Sequence, residues 1–474
     1  MDYIPNTDAD RVEMLKVVGV ESVADLFHDV PERFRFPKLD LPPALTEMEM
    51  LQELQALADE NDDLNHLACF LGAGAYNHFV PKVVDSIISR GEFYTAYTPY
   101  QPEISQGTLQ AHFEYQSMIT ALTGMEVSNV SHYDGATAVA EAVIMALQVG
   151  RNKRCNVILS PTLNPQYREV VHTYTQGMCV NTIGENAALG DLNALVELVD
   201  KDAACVIVQN PDFLGRLYLP AEMQALADKV HAAGAMLIVA CDPISLGLFT
   251  PPGHYGADVA CGEAQPMGNS LSLGGPYVGF FAMKMGEVRK SAGRIVGQTV
   301  DVDAARGFVL TLSTREQHIR REKASSNICT NQALNALAAA VYMAAMGKHG
   351  LKKAAELTYH KAHYAAKLID GLEGYAVRSD GPFFKEFVVQ CPRPVAEINE
   401  RLLNEWGIVG GYDLGAVDFG AGYAELKDHM LVCVTELNSK VEIETLTEAL
   451  AAIASPLAED LEGQDQLTDI EEVA

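Results

Sequence analysis

The sequence predicts an α/β protein built on a mostly parallel sheet. From about Cys69 onward, short apolar runs alternate with stretches of helical spacing, as in parallel strands covered by helices on both faces. The chain has 474 residues, of which 48% are hydrophobic. That length and composition can bury a substantial core and support more than one domain.

Residues 1–65 are predicted to form a helical arm. Its helices are expected at Asp8–Val18, Glu21–Phe27 and Thr46–Asn61, where apolar residues recur at helical spacing. Thr46 followed by Glu49 has the spacing of a capping box. The arm need not form a core of its own, and we expect it to wrap over a neighbouring domain or a second subunit.

A large α/β domain is predicted over residues 66–330. Its strands are expected at Val157–Ser160, Ala204–Gln209 and Ala235–Ala240. The helices between and beside them are expected at Pro165–Gln176, Asp191–Val199 and Ala221–Ala233.

A smaller C-terminal α+β domain is predicted over residues 331–456, entered through an alanine-rich helix at Asn331–Met346. Its other elements are strands at Tyr375–Arg378, Phe384–Val389, Ile408–Gly411 and Leu431–Val434, and helices at Val395–Trp406 and Lys440–Ile453. Residues 457–474 carry acids and no basic residue, so they are predicted to be an acidic, disordered tail.

Composition excludes several classes of function. A formal net charge of -29 argues against nucleic-acid binding, because phosphates would be repelled. No apolar run approaches the length of a membrane span, and the acids near the N-terminus do not fit a signal peptide. The nine cysteines have no metal-binding spacing, so we expect no metal site and a cytoplasmic protein with reduced thiols.

A long stretch without lysine separates Lys229 from Lys284. It contains Asp242, which follows a predicted strand, and the segment 258–266, and it ends in the glycine-rich run Leu273–Ala282. This is the layout of a pyridoxal phosphate (PLP) enzyme around the lysine that binds the cofactor. Because that lysine is missing, we expect that this chain cannot run such chemistry alone.

Two features suggest remnants of a cofactor pocket. The turn Ser131–Thr137 leads into an apolar helix, and the backbone N–H groups of Gly135, Ala136 and Thr137 would form a phosphate cradle at the helix N-terminus. Asp242 occupies the place of the carboxylate that contacts the pyridine nitrogen. The alternatives are an ordinary turn before a helix and an ordinary loop aspartate.

The segment Phe93–Gly107 is dense in aromatic residues, prolines and amides. It is either a packed surface loop or a loop at an active-site mouth or subunit seam, where tyrosines supply rigid contact area with polar tips.

The segment Thr314–Thr330 places charges beside small hydroxyl and amide residues. One interpretation is a charged helix followed by an N-cap at Ser326 or Asn327. The other is an anion or partner contact, built from Arg315, His318, Arg320 and Arg321.

On these residues the chain resembles the glycine cleavage system P-protein, the PLP-dependent glycine dehydrogenase (decarboxylating). The resemblance is to the lysine-free first subunit of the two-chain bacterial form. It is carried by Tyr97–Gly107, His132–Ala142, Leu273–Phe281 and Ser313–Thr330.

The resemblance implies a PLP-dependent transferase fold of type I, which is aminotransferase-like. The family decarboxylates glycine, releases CO2 and transfers the aminomethyl group to the lipoyl arm of H-protein. The second subunit supplies the PLP lysine, usually in an α2β2 heterotetramer, and the matching position here is near Gln265 and Pro266.

It also implies which residues of this chain contribute to a shared site. We expect no catalytic residue on this chain alone and no covalently bound cofactor. We expect a contribution at the subunit seam from Tyr97, Tyr100, Gln101, Glu103, Arg315, His318, Ser326 and Asn327. A vestigial cofactor pocket is expected at Gly135, Ala136, Thr137 and Asp242.

Three alternatives stay open at this point. In the first, the chain is a self-sufficient PLP decarboxylase that uses another lysine, such as Lys284 or Lys323. In the second, it is a scaffold or regulatory subunit that contributes nothing to the site. In the third, it is a homodimeric relict with a different ligand.

Overall fold

The computed structural model describes residues 5–454, except 313, 327, 329–330, 379–380 and 417–420. The predicted acidic tail lies outside the described residues. The chain forms two compact units that divide between Asp63 and Leu64. No helix among the described residues is long and apolar enough to cross a membrane.

The first unit is helical and has no buried residue among those described. It contains α1 (Asp8–Val18) and α2 (Glu47–Ala58), and the predicted second helix is a 3-10 segment at Val23–Phe27. Thr46 and Glu49 form the predicted capping box, in which the Glu49 carboxylate accepts a hydrogen bond from the Thr46 N–H at 2.9 Å. Large apolar side chains along α2 stay exposed, as expected of an arm without its own core.

The second unit is organised around a seven-stranded sheet in the order β2-β8-β7-β6-β5-β3-β4. The strands β3 to β7 pair in parallel, whereas β8 is antiparallel to β7 and β2 is antiparallel to β8. The prediction of a mostly parallel sheet is confirmed. These strands are β2 (Val127–Ser128), β3 (Asn156–Leu159), β4 (Asn181–Ile183), β5 (Ala203–Gln209), β6 (Met236–Ala240), β7 (Val259–Glu263) and β8 (Gly279–Met283).

Helices cover both faces of this sheet, as the alternation of elements predicts. They are α3 (Lys82–Ile88), α4 (Gly91–Tyr94), α5 (Gln106–Thr123), α6 (Gly135–Val149), α7 (Pro165–Thr175), α8 (Leu192–Glu197) and α9 (Pro220–Ala232). Residues 135–147 of α6 are all buried. A run of small and apolar residues, Ala138–Ala146, lets this helix lie directly against the sheet.

A second, antiparallel sheet has the strand order β11-β12-β15-β14. Its strands are β11 (Ala376–Arg378), β12 (Glu386–Gln390), β14 (Tyr412–Asp413) and β15 (His429–Cys433). Two short pairs complete the set: β1 (Ala68–Cys69) with β13 (Ile408–Val409), and β9 (Ile295–Val300) with β10 (Arg306–Thr311). The helices are α10 (Gln317–Arg320), α11 (Ala333–Ile369), α12 (Val395–Trp406) and α13 (Lys440–Ala454).

The helix α11 differs from its prediction at both ends. It begins at Ala333, with Gln332 at the N-cap, and continues to Ile369 through a break at Gly347. The interpretation of Ser326 as its N-cap is therefore wrong. Ser326 lies six positions before Gln332 in the sequence, too far from the first turn of the helix to cap it.

The loop after β5 contacts the second sheet closely at Gly215. The Leu217 N–H donates to the Pro382 carbonyl at 2.7 Å, so the loop after β5 docks on the chain leading to β12. Gly215 has φ +90°, and a Cβ atom there would clash with the Glu386 carbonyl oxygen. Only glycine allows this approach.

We predict that Gly215→Ala lowers the free energy of unfolding by more than about 2 kcal/mol, through backbone clash and positive φ. Gly286→Ala is the matched control, because a Cβ atom added there would have no neighbouring atom within 4 Å, and we expect a change within about 0.5 kcal/mol. Urea unfolding of the isolated chain measures both. Equal effects of the two substitutions would contradict the close approach.

Candidate functional site

The candidate site lies at the carboxyl edge of the parallel strands, where ligands bind in open α/β sheets. Gln209, Asp242 and Glu263 stand at or just beyond the ends of β5, β6 and β7. They line one small cavity together with Tyr76 and Tyr167.

The N-terminus of α6 lies against two residues that line this cavity, Glu263 and Tyr167, and the chain's own carboxylates already bind it. Asp134 is the N-cap and accepts from the Thr137 N–H at 2.8 Å. The Glu263 carboxylate accepts from the Gly135 N–H at 3.0 Å. Gly135 is closely covered, since a Cβ atom there would clash with the Tyr167 hydroxyl oxygen. Glu263 thus takes the anion position at the start of the helix.

Glu263 is buried and its acceptor capacity is used within the chain. Its Oε1 accepts from the N–H groups of Gln265 and Val278, at 2.9 and 3.2 Å. Burial raises the pKa of Glu263 to about 8, against the opposing effect of its three backbone N–H donors. Sequence reasoning missed this residue, although an acid that ends an apolar strand run is a recognisable signal.

Asp242 pairs with a lysine of the second sheet. The Lys385 Nζ lies 2.6 Å from Asp242 Oδ2, and the two side chains are 3% and 11% exposed. The same Nζ lies 3.2 Å from the centre of the Tyr76 ring, a cation–π contact. The position opposite Asp242, where a pyridine nitrogen would stand, therefore holds an ammonium group.

Lys385 connects this pair to a second buried carboxylate. Its Nζ lies 3.1 Å from His78 Nε2, and His78 Nδ1 lies 2.6 Å from Glu436 Oε2. These partners assign the His78 proton to Nδ1, so that Nε2 accepts from the ammonium. Burial would raise the pKa of Glu436, but His78 and backbone donors outweigh it and lower the pKa to about 2.

The glutamine at the position expected for the cofactor lysine holds Tyr76, which lines the cavity, in place. Gln265 is buried and bonds both the N–H and the carbonyl of Tyr76, each at 3.0 Å. The Tyr76 hydroxyl in turn donates to Glu386 at 2.8 Å. Tyr76 is thus held over the cavity from both its backbone and its side chain.

These residues do not fit PLP. The phosphate position is occupied by Glu263 and the pyridine position by Lys385, while the cavity that remains measures about 30 Å³. That space suits one or two water molecules, far less than a ring with a phosphate. Among the described residues, no cluster of three potential metal ligands was found either.

Lys284 lies at the opposite edge of the sheet. It follows β8, which runs antiparallel to β7 with Met283 opposite Val259, and its Nζ lies 2.6 Å from Asp258 Oδ1. The length of β7, roughly 17 Å at the usual rise per residue, separates it from the cavity. Lys284 therefore cannot serve as a base there. Lys323 is exposed in a 3-10 turn at Arg321–Lys323.

The two segments predicted to lie at a subunit seam meet at Arg294, which sequence reasoning missed. The Arg294 side chain is fully buried, and its Nη2 lies 3.3 Å from the Tyr100 hydroxyl. Its Nη1 donates to Asn331 at 3.0 Å. The preceding residue, Gly293, donates its N–H to Glu316 at 2.9 Å. The arginine in the run Ser291–Ile295 gave no signal, because nothing local distinguishes it from a surface arginine.

This cluster is also fastened to the turn before α6. The Asn331 side chain donates to the Val130 carbonyl at 2.8 Å, and the Gln332 N–H donates to Ser131 Oγ at 3.1 Å. Burial lowers the pKa of His112 to about 4, and the nearby Arg294 charge adds to the effect.

Other residues of the aromatic loop face outward. Tyr97 is 73% exposed, Gln101 precedes the 3-10 turn Pro102–Ile104, and Glu103 is exposed within it. Of the four residues predicted here, Tyr100 is the one with a contact to the buried cluster.

Arg315 is buried and engaged within the chain. Its Nη2 lies 2.6 Å from Glu141 of α6 and 2.7 Å from the Ser325 carbonyl. Ser326 donates to the same glutamate at 3.0 Å. Arg320 and Arg321 are exposed, whereas Asn327 and the His318 side chain lie outside what the structure describes.

The family model "Glycine cleavage system P-protein" matches residues 1–450. The chain is 52% identical to "Probable glycine dehydrogenase (decarboxylating) subunit 1" of Geobacillus sp. (strain WCH70), covering 94% of this chain and 98% of the relative. It is 51% identical to the subunit of the same name from Thermomicrobium roseum, over 95% and 99% of the two chains.

Solved structures agree with the fold. A crystal structure of glycine decarboxylase (P-protein) of the glycine cleavage system, in inhibitor-bound form, matches with a TM-score of 0.84 and 42% identity, over 96% of this chain and 100% of that chain. A sphingosine-1-phosphate lyase from Burkholderia pseudomallei matches at 13% identity with a TM-score of 0.61, over 94% and 99%. The second likeness concerns the fold alone.

We predict that Lys385→Met lowers the free energy of unfolding by about 3–5 kcal/mol, because Asp242 becomes an unpaired buried charge. Adding Asp242→Asn should restore at least about 1 kcal/mol of that loss. Lys284→Met is the matched control: its lysine is 43% exposed, and we expect a loss of at most about 1 kcal/mol. Urea unfolding measures all of these variants. If Lys385→Met lowers the free energy of unfolding no more than the control does, the buried ion pair between Lys385 and Asp242 is refuted.

Proposed function

The chain belongs to the glycine cleavage system P-protein family, and on this premise we propose that it is subunit 1 of a two-chain glycine dehydrogenase (decarboxylating). One structural observation supports this proposal independently of the similarity to known proteins. The pocket at the carboxyl edge of the sheet is filled by Glu263 and by Lys385. The fold is that of a PLP enzyme, but the reaction must use a cofactor held elsewhere.

We infer that a second chain of the same fold supplies the PLP lysine, in an α2β2 heterotetramer. Bound PLP acts as an electron sink for the decarboxylation of glycine. The products are CO2 and an aminomethyl group, which passes to the lipoyl arm of H-protein. The predicted cytoplasmic location fits this reaction and stays a prediction.

The contribution of this chain to the shared site is proposed at the cluster around Arg294. Tyr100 is half-exposed, at 51%, while its hydroxyl contacts a buried guanidinium. Such a side chain presents one edge outward in a fixed orientation, as a residue completing a site across a seam must. Arg315 and Ser326 hold the neighbouring segment to α6 through Glu141, so we assign them a positioning role.

The helical arm supplies a second reason to propose a partner. Its exposed apolar side chains include Met48, Leu51, Leu54 and Leu57, each more than half exposed. A surface of this kind is typical of protein–protein contact. A scaffold subunit that only stabilises its partner would use the arm but not the Arg294 cluster, and this difference separates the two functions.

We predict that glycine–bicarbonate exchange, measured with lipoylated H-protein, requires both this chain and a lysine-bearing subunit. After incubation with PLP and borohydride, this chain alone should carry no stoichiometric adduct on a single lysine, because its pocket has no room for the ring. The lysine-bearing subunit is the positive control. A stoichiometric adduct on one lysine of the isolated chain, such as Lys385, would support the self-sufficient alternative.

We predict that Tyr100→Phe lowers the turnover of the complex about tenfold, which corresponds to about 1.4 kcal/mol of the barrier. The unfolding free energy of the isolated chain should change by about 1 kcal/mol or less. Tyr94→Phe is the matched control, since Tyr94 is 69% exposed on the same segment, and its turnover should not change. Unchanged turnover for Tyr100→Phe would favour the scaffold function.

A further inference from the structure

We propose that Cys155 and Cys179 form a solvent-accessible thiol pair that a low-molecular-weight disulfide oxidises to an intramolecular disulfide. Cys155 directly precedes β3, and Cys179 lies two residues before β4. These strands are parallel neighbours, with Asn156 opposite Asn181. The two cysteines thus lie just before adjacent strands, at the same edge of the sheet. This proposal does not depend on the proposed function.

The pairing of the strands brings the two cysteines to the same end of neighbouring strands. The Asn181 N–H donates to the Cys155 carbonyl at 2.8 Å, so the ladder continues to this residue. Neighbouring strands lie about 4.8 Å apart. Cys179 lies in the turn before β4, where the Val180 N–H donates to the Met178 carbonyl at 3.0 Å, so the alternation of side chains along a strand does not send it to the face opposite Cys155.

The two side chains are close enough to influence each other. Burial raises the pKa of the Cys155 thiol, and the neighbouring Cys179 thiol raises it further, while both side chains line one cavity. A thiolate beside a second thiol is the arrangement from which a mixed disulfide is resolved.

Both thiols line a cavity of about 310 Å³ that opens to solvent. Cys179 is exposed and Cys155 is half-buried. Leu147, Met178 and Ser325 form part of the wall. Cys179, as the more exposed thiol, is therefore the one that we expect a small disulfide to meet first.

The other described cysteines do not share this arrangement. Cys241 with Cys261, and Cys69 with Cys433, also interact, but each pair contains at least one fully buried thiol. Burial raises the pKa of those buried thiols and withholds them from a soluble oxidant.

The chemistry balances with oxidised glutathione as the oxidant. The Cys179 thiolate attacks one sulfur of the glutathione disulfide, which forms a mixed disulfide and releases one glutathione thiolate. Cys155 loses its proton and attacks the Cys179 sulfur, which releases the second glutathione. The protein loses two electrons and two protons, and one glutathione disulfide becomes two thiols.

The cavity also borders the segment that we propose to lie at the subunit seam. The Gln148 side chain donates to Ser325 Oγ at 2.9 Å, and the Ser325 carbonyl accepts from Arg315 at 2.7 Å. A disulfide at this place therefore forms next to a segment with a proposed functional role. In a reducing cytosol it would form only when the thiol pool is oxidised.

The test treats the full chain with oxidised glutathione and follows intact mass, free thiols and peptide maps. We expect loss of two thiols, no retained glutathione, a Cys155–Cys179 cross-link in the map, and full reversal by dithiothreitol. A chain that keeps glutathione on Cys179 without closing, or that does not react at Cys179, would overturn the proposal.

Variants identify the order of attack. Cys155→Ser should retain one glutathione on Cys179, because no resolving thiol remains. Cys179→Ser should form neither the cross-link nor that adduct, and Cys69→Ser should behave as the unchanged chain. A cross-link in either of the first two variants that involves another cysteine would assign the chemistry elsewhere and refute the pair.

Discussion

The ion pair between Lys385 and Asp242 is the contact on which the rest of this structure depends. It joins the end of β6 in the parallel sheet to the start of β12 in the antiparallel sheet, at 2.6 Å and almost without solvent. A buried ion pair is sustained only if both charges find further partners. The Tyr76 ring and His78 supply them on the lysine side.

This pair changes what the carboxyl edge of the sheet can do. In a cofactor-binding relative of this fold, that edge offers an anion site at a helix N-terminus and a carboxylate for a pyridine nitrogen. Here Glu263 binds the helix N-terminus and Lys385 pairs with the carboxylate of Asp242. These contacts connect parts of the chain where a cofactor would otherwise bind. The Gly135 N–H at the start of α6 and the Asp242 carboxylate thus have partners within the chain and need no ligand.

Because that pocket is filled, we look for the functional contribution of this chain at its surface. The residues that retain an outward-facing edge and a buried anchor lie around Arg294, where the aromatic loop and the segment beyond β10 converge. Tertiary contacts thus organise two segments that are far apart in the chain into one surface, which fits a subunit whose chemistry is completed by a partner.

The sequence by itself determined the alternation of strands and helices, the mostly parallel sheet and the absence of a cofactor lysine, although not the full extent of α11. These properties depend on local pattern: apolar periodicity, the Thr46 capping box, and the run without lysine before Lys284. It failed where the deciding partner is remote, as at Ser326, whose hydroxyl bonds Glu141 of α6 and does not cap α11. Only the tertiary structure decided that Lys385 faces Asp242 and that Arg294 lies beneath Tyr100. The reason is physical: a buried charge is stable only beside its counter-charge or donors, and folding alone brings those groups together.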